Sequence, residues 1–133
     1  MGKTNYSILA AGECAEYYSF VNPQKSYRTS DSKYNIEAGF YAAMFMLDKE
    51  VNFSYMPMTW IEMPESDIYY VGEWDVIYDE IIVDGNVDEG KFVVYLCKFD
   101  EIMGFMTFGF DRLHIYLLYA MKMLMMPSAM SMQ

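Results

Sequence analysis

The sequence predicts a single α+β domain in which an antiparallel β-meander of three to five strands packs against two or more helices. Three observations support this fold class. The chain has 133 residues, of which 54% are hydrophobic and 18% aromatic, enough for one hydrophobic core. Apolar residues recur at helical spacing in the first third and near the C-terminus, whereas residues 69–110 show strand-like patterns separated by turn residues. We therefore expect residues 1–133 to form one domain.

Two helices are predicted in the first third of the chain. The first, Ser7–Tyr18, is short and ends ahead of Pro23. A polar loop then leads to a better-patterned helix over Asn35–Val51, which Asp31 or Ser32 could cap. The apolar positions of this second helix are Ile36, Phe40, Ala43, Met44 and Leu47.

Strands are predicted after these helices. The prolines at 57 and 64 bracket Met58–Glu62, which indicates an edge strand or a connector. Tyr69–Val83 alternates with a period of two, the pattern of a half-buried strand. Its core-facing set is Trp74, Val76, Tyr78 and Ile82, and its outward-facing set is Glu73, Asp75, Ile77, Asp79 and Ile81.

A hairpin and a third strand complete the predicted meander. Asp84–Gly90 is rich in Asp, Asn and Gly, which favour tight turns. It joins the preceding strand to Lys91–Phe99, so the two should form a hairpin. Met103–Phe110 follows as the next antiparallel strand.

The C-terminal segment predicts a buried helix. Asp111 is expected to cap it, and Pro127 prevents its continuation beyond about Met126, leaving residues 127–133 as a frayed tail. The apolar run Leu113–Met126 has 14 residues, whereas a membrane-spanning helix needs about 20. The N-terminus has too brief an apolar patch for a signal peptide. We expect a cytoplasmic protein with no membrane span.

Negative charge is concentrated in one stretch of the sequence. Residues 62–101 hold twelve of the nineteen carboxylates and two of the nine basic residues, so this stretch alone carries the formal net charge of −10. Such a charge disfavours direct binding of nucleic acid and favours a partner with a basic surface. An ordinary solvated acidic face has the same pattern, and carboxylates spaced along a strand can also mimic phosphates.

The sequence offers few residues suited to catalysis. Its single histidine, His114, begins an apolar helix, where a packing role is the simplest interpretation. Cys14 and Cys97 are too few for a disulfide scaffold and are expected to be buried free thiols. We therefore predict a protein that is not an enzyme, with no catalytic residues and no cofactor.

One spacing matches part of a calcium-binding loop without completing it. Asp84, Asn86 and Asp88 occupy the first, third and fifth positions of such a loop, but Glu89 and Tyr95 stand where glycine and a bidentate glutamate are needed. An acidic hairpin turn is the favoured interpretation. No metal site is predicted.

The sequence near the C-terminus resembles a known group of proteins. The segments FMTFGFDRL (105–113) and YLLYAMKML (116–124) resemble the ending of small acidic immunity proteins of bacterial polymorphic and contact-dependent toxins. In those proteins a strand closes with Gly-x-Asp and leads into a helix of leucine and alanine. The resemblance implies a protein that binds a basic toxin, often a nuclease, and neutralises it by occlusion.

The predicted function is therefore that of an acidic inhibitor that covers the basic active site of a toxin or nuclease. Carboxylates would steer association and pair with Lys or Arg, and aromatic side chains would supply a buried anchor. Trp74 or Tyr78 could also serve as the anchor. The predicted partner-binding residues are Glu73, Asp75, Asp79, Asp84, Asp88, Glu89, Tyr69 and Tyr70.

Two alternatives remain open at this stage. A phage-encoded inhibitor or nucleic-acid mimic acting on a host defence nuclease would show the same charge and the same lack of catalytic parts. A small enzyme or ligand-binding protein would instead need a deep pocket that contains His114 or a close pair of carboxylates.

Overall fold

The computed structural model describes residues 2–5, 8–19, 23–73 and 76–132. The chain divides into two compact units, residues 1–55 and residues 56–133. Each unit has its own secondary structure, and the two are described separately below.

The first unit contains two short antiparallel strand pairs and one helix. The pairs join β1 (Gly2–Asn5) to β2 (Ile8–Ala10) and β3 (Tyr17–Tyr18) to β4 (Ser26–Tyr27). Helix α1 follows at Ser32–Met46.

The described part of the predicted helix Ser7–Tyr18 is not helical, since β2 and β3 occupy its two ends. Gly12 lies between them with φ +82°, a left-handed conformation that a right-handed helix does not contain. Ser7 falls outside the described residues.

Helix α1 begins at a side-chain cap. The Asp31 carboxylate accepts a hydrogen bond from the backbone N–H of Lys33 at 2.9 Å, so Asp31, one of the two predicted candidates, is the N-cap. The helix ends at Met46, five residues before the predicted Val51. Asp48 has φ +53°, which is incompatible with a continuing right-handed helix.

The buried side of α1 differs from the predicted apolar side. Tyr34, Ala38 and Ala42 are buried, whereas Ile36 and Phe40 are 73% and 60% exposed. The buried positions are four residues apart, the spacing of one helix face. The small side chains of Ala38 and Ala42 leave room for the aromatic rings that pack against this face.

Three tyrosines form the centre of the core in this unit. The rings of Tyr17, Tyr34 and Tyr55 lie with centroids 4.9 to 5.1 Å apart, in tilted and edge-to-face contacts. The hydroxyl of Tyr55 donates a hydrogen bond to the Asp31 carboxylate. One carboxylate therefore both caps α1 and satisfies a buried phenol.

The second unit is built on a five-stranded antiparallel sheet with strand order β5-β6-β9-β8-β7. The α+β class and the meander β7–β8–β9 are confirmed, and the strand predicted near residue 58 lies at one edge of the sheet. The strands are β5 (Met58–Ile61), β6 (Ile68–Gly72), β7 (Glu80–Asn86), β8 (Lys91–Lys98) and β9 (Glu101–Phe108).

The predicted continuous strand Tyr69–Val83 is in fact two strands that do not pair. β6 ends at Gly72, whose φ of +143° breaks the extended conformation, and β7 begins at Glu80 on the far edge of the sheet. β9 and β8 lie between β6 and β7 in the sheet. The predicted alternation of faces therefore does not carry across the break, and Trp74 and Asp75 lie outside the described residues.

One face of this sheet is covered and forms the core of the unit. Paired residues on neighbouring antiparallel strands project to the same side of a sheet. The ring of His114, on the following helix, stacks on Tyr69 of β6, which identifies the covered side. We call it the closed face; its buried residues include Val71, Val93, Tyr95, Phe105 and Thr107.

Helix α2 (Leu113–Lys122) lacks the predicted cap. Arg112 occupies the N-cap position with φ +62° and no side-chain hydrogen bond, while the Asp111 side chain is 92% exposed. Leu124, at φ +55°, ends the helix before Pro127 is reached. Neither α2 nor any other helix in the described ranges has the length and apolarity that a membrane-spanning segment requires.

The tail that was expected to be frayed is attached to the sheet. Ala129–Met132 forms a 3₁₀ helix in which Ala129 is fully buried. The N–H of Ala129 donates to the carbonyl oxygen of Asp100 at 3.0 Å, and the N–H of Met130 donates to the Asp100 carboxylate at 2.6 Å. These bonds hold the tail against the β8–β9 turn.

We expect Asp31→Ala to lower the free energy of unfolding of the first unit by about 1–3 kcal/mol, because it removes a helix cap and leaves the Tyr55 hydroxyl buried without its acceptor. The matched control is Ser32→Ala, which changes an exposed residue at the neighbouring position. Urea unfolding followed by far-ultraviolet circular dichroism measures both. Equal losses in the two variants would contradict the assignment of the cap.

Candidate interaction surface

The acidic hairpin β7–β8 presents two carboxylates at its tip. The side-chain oxygen of Asn86 accepts hydrogen bonds from the N–H groups of Asp88 and Glu89 at 3.0 and 3.3 Å, which organises the turn. Gly90 completes it with φ +65°. Asp88 and Glu89 are both exposed, so the backbone of the turn holds these charges in water.

Two more of the predicted acidic residues are exposed on the same side of the unit. Asp84 lies on the edge strand β7. Asp79 lies just before this strand, and its carboxylate accepts a hydrogen bond from the N–H of Phe99 at 3.1 Å. Phe99 has φ +52°, so Asp79 also supports the tight β8–β9 turn. Asp79, Asp84, Asp88 and Glu89 together form what we call the acidic rim.

The remaining predicted site residues that the structure describes have roles inside the fold. Glu73 is 3% exposed, and its backbone carbonyl oxygen accepts hydrogen bonds from the hydroxyls of Tyr70 and Tyr78 at 3.1 and 3.0 Å. The Tyr69 ring stacks on His114 with centroids 3.6 Å apart, and its hydroxyl donates to Asp67 at 3.2 Å. The structure thus brings the four rim acids to the surface and uses the two tyrosines internally.

A pair of glycines makes room for the tyrosine hydroxyls. Gly72 and Gly104 are partners on β6 and β9. A Cβ on Gly104 would lie 2.9 Å from the carbonyl oxygen of Val71 and 3.4 Å from the Tyr78 hydroxyl, and one on Gly72 would lie 3.1 Å from the Tyr70 hydroxyl. A side chain at either glycine would displace the hydroxyl pair.

The sheet face opposite the closed face is apolar and only partly covered. We call it the open face. Ile61, Ile81 and Val83 on it are 59%, 63% and 52% exposed. Its central side chains are half-buried: Phe92, Val94, Leu96, Met106 and Phe108.

One pattern in the sequence indicates the open face, although the predicted site was based on the charge pattern instead. Residues 92–97, Phe-Val-Val-Tyr-Leu-Cys, are apolar at every position. A strand with one face in water alternates between apolar and polar residues, whereas an uninterrupted apolar run is typical of a strand covered on both faces. This run marks β8 as a strand with two apolar sides.

The two thiols differ in their surroundings. Cys97 is fully buried, and burial, followed by the nearby carboxylates of Glu80, Asp79 and Asp100, raises the pKa of its thiol. Cys14 is exposed, contrary to the prediction, and its Sγ lies 3.3 Å from the carbonyl oxygen of Ala11. Both are free thiols.

The described residues contain no group of three or more His, Cys, Asp or Glu side chains arranged to hold a metal ion. A dinucleotide cofactor does not fit them either. Such cofactors bind where a parallel strand meets a helix through a G-x-G-x-x-G loop, whereas every strand pair described is antiparallel and the sequence has no two glycines two residues apart.

No protein-family model matches the chain. In sequence it is similar to human apoptosis-inducing factor 3, with 32% identity over 73 residues, which are 55% of this chain and 12% of that protein. Mouse apoptosis-inducing factor 3 is 30% identical over 73 residues, with the same coverage. The chain thus spans about an eighth of the length of the curated relatives that it matches.

Solved structures share its fold. The chain is similar to the covalent putidaredoxin reductase–putidaredoxin complex, with a TM-score of 0.66 and 22% identity over 84% of this chain and 26% of that chain. It is also similar to a ferredoxin reductase from Rhodopseudomonas palustris, with a TM-score of 0.65 and 17% identity over 80% of this chain and 26% of that one. At these identities the likeness establishes the fold.

These comparisons contradict the predicted function. The similar structures are reductases, and the relatives in sequence are much longer proteins, so the predictions of an immunity protein and of a nuclease inhibitor are wrong. The phage-inhibitor alternative is wrong for the same reason. The prediction that the protein is not an enzyme is contradicted as well, because the similar proteins include enzymes. The prediction rested on the concentration of acidic residues and on a generic strand–helix ending, and neither feature is specific to immunity proteins.

The buried tyrosine hydroxyls predict a stability that depends on alkaline pH. Burial, followed by the hydrogen bond with Tyr78, raises the pKa of Tyr70 above its ordinary value of 10.0, and burial raises the pKa of Tyr95 in the same direction. The folded state keeps these protons where the unfolded chain loses them. Their contribution to stability is therefore fully present below pH 10.0 and is lost as the pH rises above it.

We expect Tyr70→Phe to make the free energy of unfolding fall less steeply above pH 10.0 than in the unaltered protein. Tyr116→Phe is the control, since Tyr116 is 69% exposed. Urea unfolding at pH values on either side of 10.0 gives the slopes. Parallel slopes for the Tyr70 variant and the unaltered protein would show that this hydroxyl is not the titrating group.

Proposed function

We propose that the chain forms a structural module of an electron-transfer oxidoreductase, one that supports the cofactor-binding parts of the enzyme without binding a cofactor itself. The observation that carries this proposal is the agreement of two comparisons. A reductase structure matches 84% of the chain in fold, and apoptosis-inducing factor 3 matches 55% of it in sequence.

The architecture of the second unit favours a structural role for the proposed module. Its sheet is antiparallel, and several of its polar side chains have roles inside the fold: Tyr70 and Tyr78 bond to the Glu73 carbonyl, and His114 stacks on Tyr69. The buried Cys97 thiol, with its raised pKa, is unsuited to nucleophilic or redox exchange. Electron transfer would therefore depend on groups held elsewhere in the enzyme.

The charge of the module favours association with a basic protein surface. Residues 56–133 contain thirteen acidic and four basic residues, and the acidic rim presents several of these charges to solvent. A surface with charges of one sign attracts surfaces of the opposite sign and repels those of its own sign.

A cytoplasmic location of the enzyme stays a prediction from the sequence.

The test is to isolate the native polypeptide from its source with an antibody raised against residues 56–133. We expect a polypeptide several times longer than 133 residues, with visible absorbance from a bound redox cofactor and with reductase activity toward an artificial electron acceptor. A short polypeptide with neither absorbance nor activity would contradict the proposal.

A further inference from the structure

The open face carries more apolar surface than an isolated module needs. Three of its side chains, Ile61, Ile81 and Val83, are more than half exposed, and they lie on the two edge strands β5 and β7. Half-buried side chains of β8 and β9, among them Val94 and Met106, lie between them. Tyr70 of β6 pairs with Met106 on this face, and its hydroxyl bonds to that of Tyr78, so the chain itself covers the part near β6. An exposed apolar patch such as the one left near the edge strands typically marks a contact with another protein surface.

The border of this patch is charged on one side. The hairpin tip places Asp88 and Glu89 at one end of β7, and Asp79 lies at its other end. Asp84, the remaining member of the acidic rim, pairs with Val93 and therefore projects toward the closed face. An apolar centre with a charged border has the anatomy of a protein interface. Because the charges have one sign, the complementary surface must have an apolar centre and basic residues facing β7.

The same charge argues against a second copy of this chain as the occupant. Two copies meeting through their open faces would bring two acidic rims into the same region, and like charges across an interface are costly. The outer side of α2 also exposes apolar residues, including Tyr116 and Tyr119, but Arg112 and Lys122 lie at its ends. It therefore lacks the acidic border.

The composition of the open face indicates the kind of contact. Transient encounters between electron-transfer proteins bury small areas, whereas permanent interfaces are larger and more hydrophobic, like a domain core cut in two. The solved reductases that share this fold are about four times as long as the matched segment, since the match covers 26% of each chain. The proposed oxidoreductase therefore includes a larger part that can cover the open face.

We propose that the open face, with the acidic rim beside it, packs permanently against the cofactor-binding body of the oxidoreductase through a surface that is apolar at its centre and basic opposite β7. The inference rests on the proposed function and adds the surface and the chemistry of its counterpart. The acidic rim sets the orientation of the contact, and the apolar side chains supply its stability.

Covalent footprinting with a carbene reagent, read by mass spectrometry, tests this assignment. Labelling is compared between the isolated 133-residue chain and the complete native polypeptide. We expect labelling of Ile81 and Val83 to fall severalfold in the complete polypeptide, while labelling of Tyr119 and Leu124, which are 67% and 83% exposed, stays unchanged.

Three outcomes would overturn the inference. The first is equal labelling of Ile81 and Val83 in a complete polypeptide that does carry a redox cofactor, which leaves the proposed function intact. The second is protection of Tyr119 and Leu124 in place of the open face. The third is protection of the open face in the isolated chain together with sedimentation as a dimer, which would identify a second copy as the occupant.

A substitution provides an independent measurement. Val83→Arg places a positive charge on the open face, opposite the proposed basic surface, and should lower the thermal midpoint of the complete polypeptide while leaving that of the isolated chain nearly unchanged. Tyr119→Arg is the matched control and should lower neither. Equal effects of the two variants on the complete polypeptide would contradict the assignment.

Discussion

The antiparallel pairing of β8 with β9 is the constraint on which the second unit depends. These strands occupy the centre of the sheet, and their register places Val93 opposite Thr107 and Tyr95 opposite Phe105, all on the closed face. A slip of one residue would exchange the two faces of a strand. The register therefore determines which side chains meet α2 and which remain on the open face.

The constraint also explains where the unit uses special backbone conformations. Because β6 pairs with β9, the chain must travel from β6 to the far edge before β7 can pair with β8. Gly72 ends β6. The hydroxyls of Tyr70 and Tyr78 then bond to the Glu73 carbonyl, and the Asp79 carboxylate accepts a hydrogen bond from the N–H of Phe99. For this reason, some of the acidic residues that were predicted to bind a partner also have roles in stabilising the fold.

The sequence predicted the features that local chemistry determines. Asp31 was one of two candidate caps, and residues 84–90 were predicted as a hairpin turn, of which 87–90 form the turn while Asp84–Asn86 end β7. Neighbouring backbone groups alone decide both features. The crossing between β6 and β7 depends on pairing with strands farther along the chain, so Tyr69–Val83 was predicted as one strand. Glu73 was assigned to the partner surface for the same reason. The prediction of function rested on charge, and charge characterises a protein surface without specifying an activity.

The most direct test of this account compares two adjacent valines on β8. Val93 is on the closed face and 3% exposed, whereas Val94 is half-buried on the open face. Both variants lose the same strand propensity, so packing alone distinguishes them. We expect Val93→Ala to lower the free energy of unfolding of the isolated chain by about 1–3 kcal/mol and Val94→Ala by less than about 1 kcal/mol. Equal losses would contradict the division of the sheet into a closed and an open face.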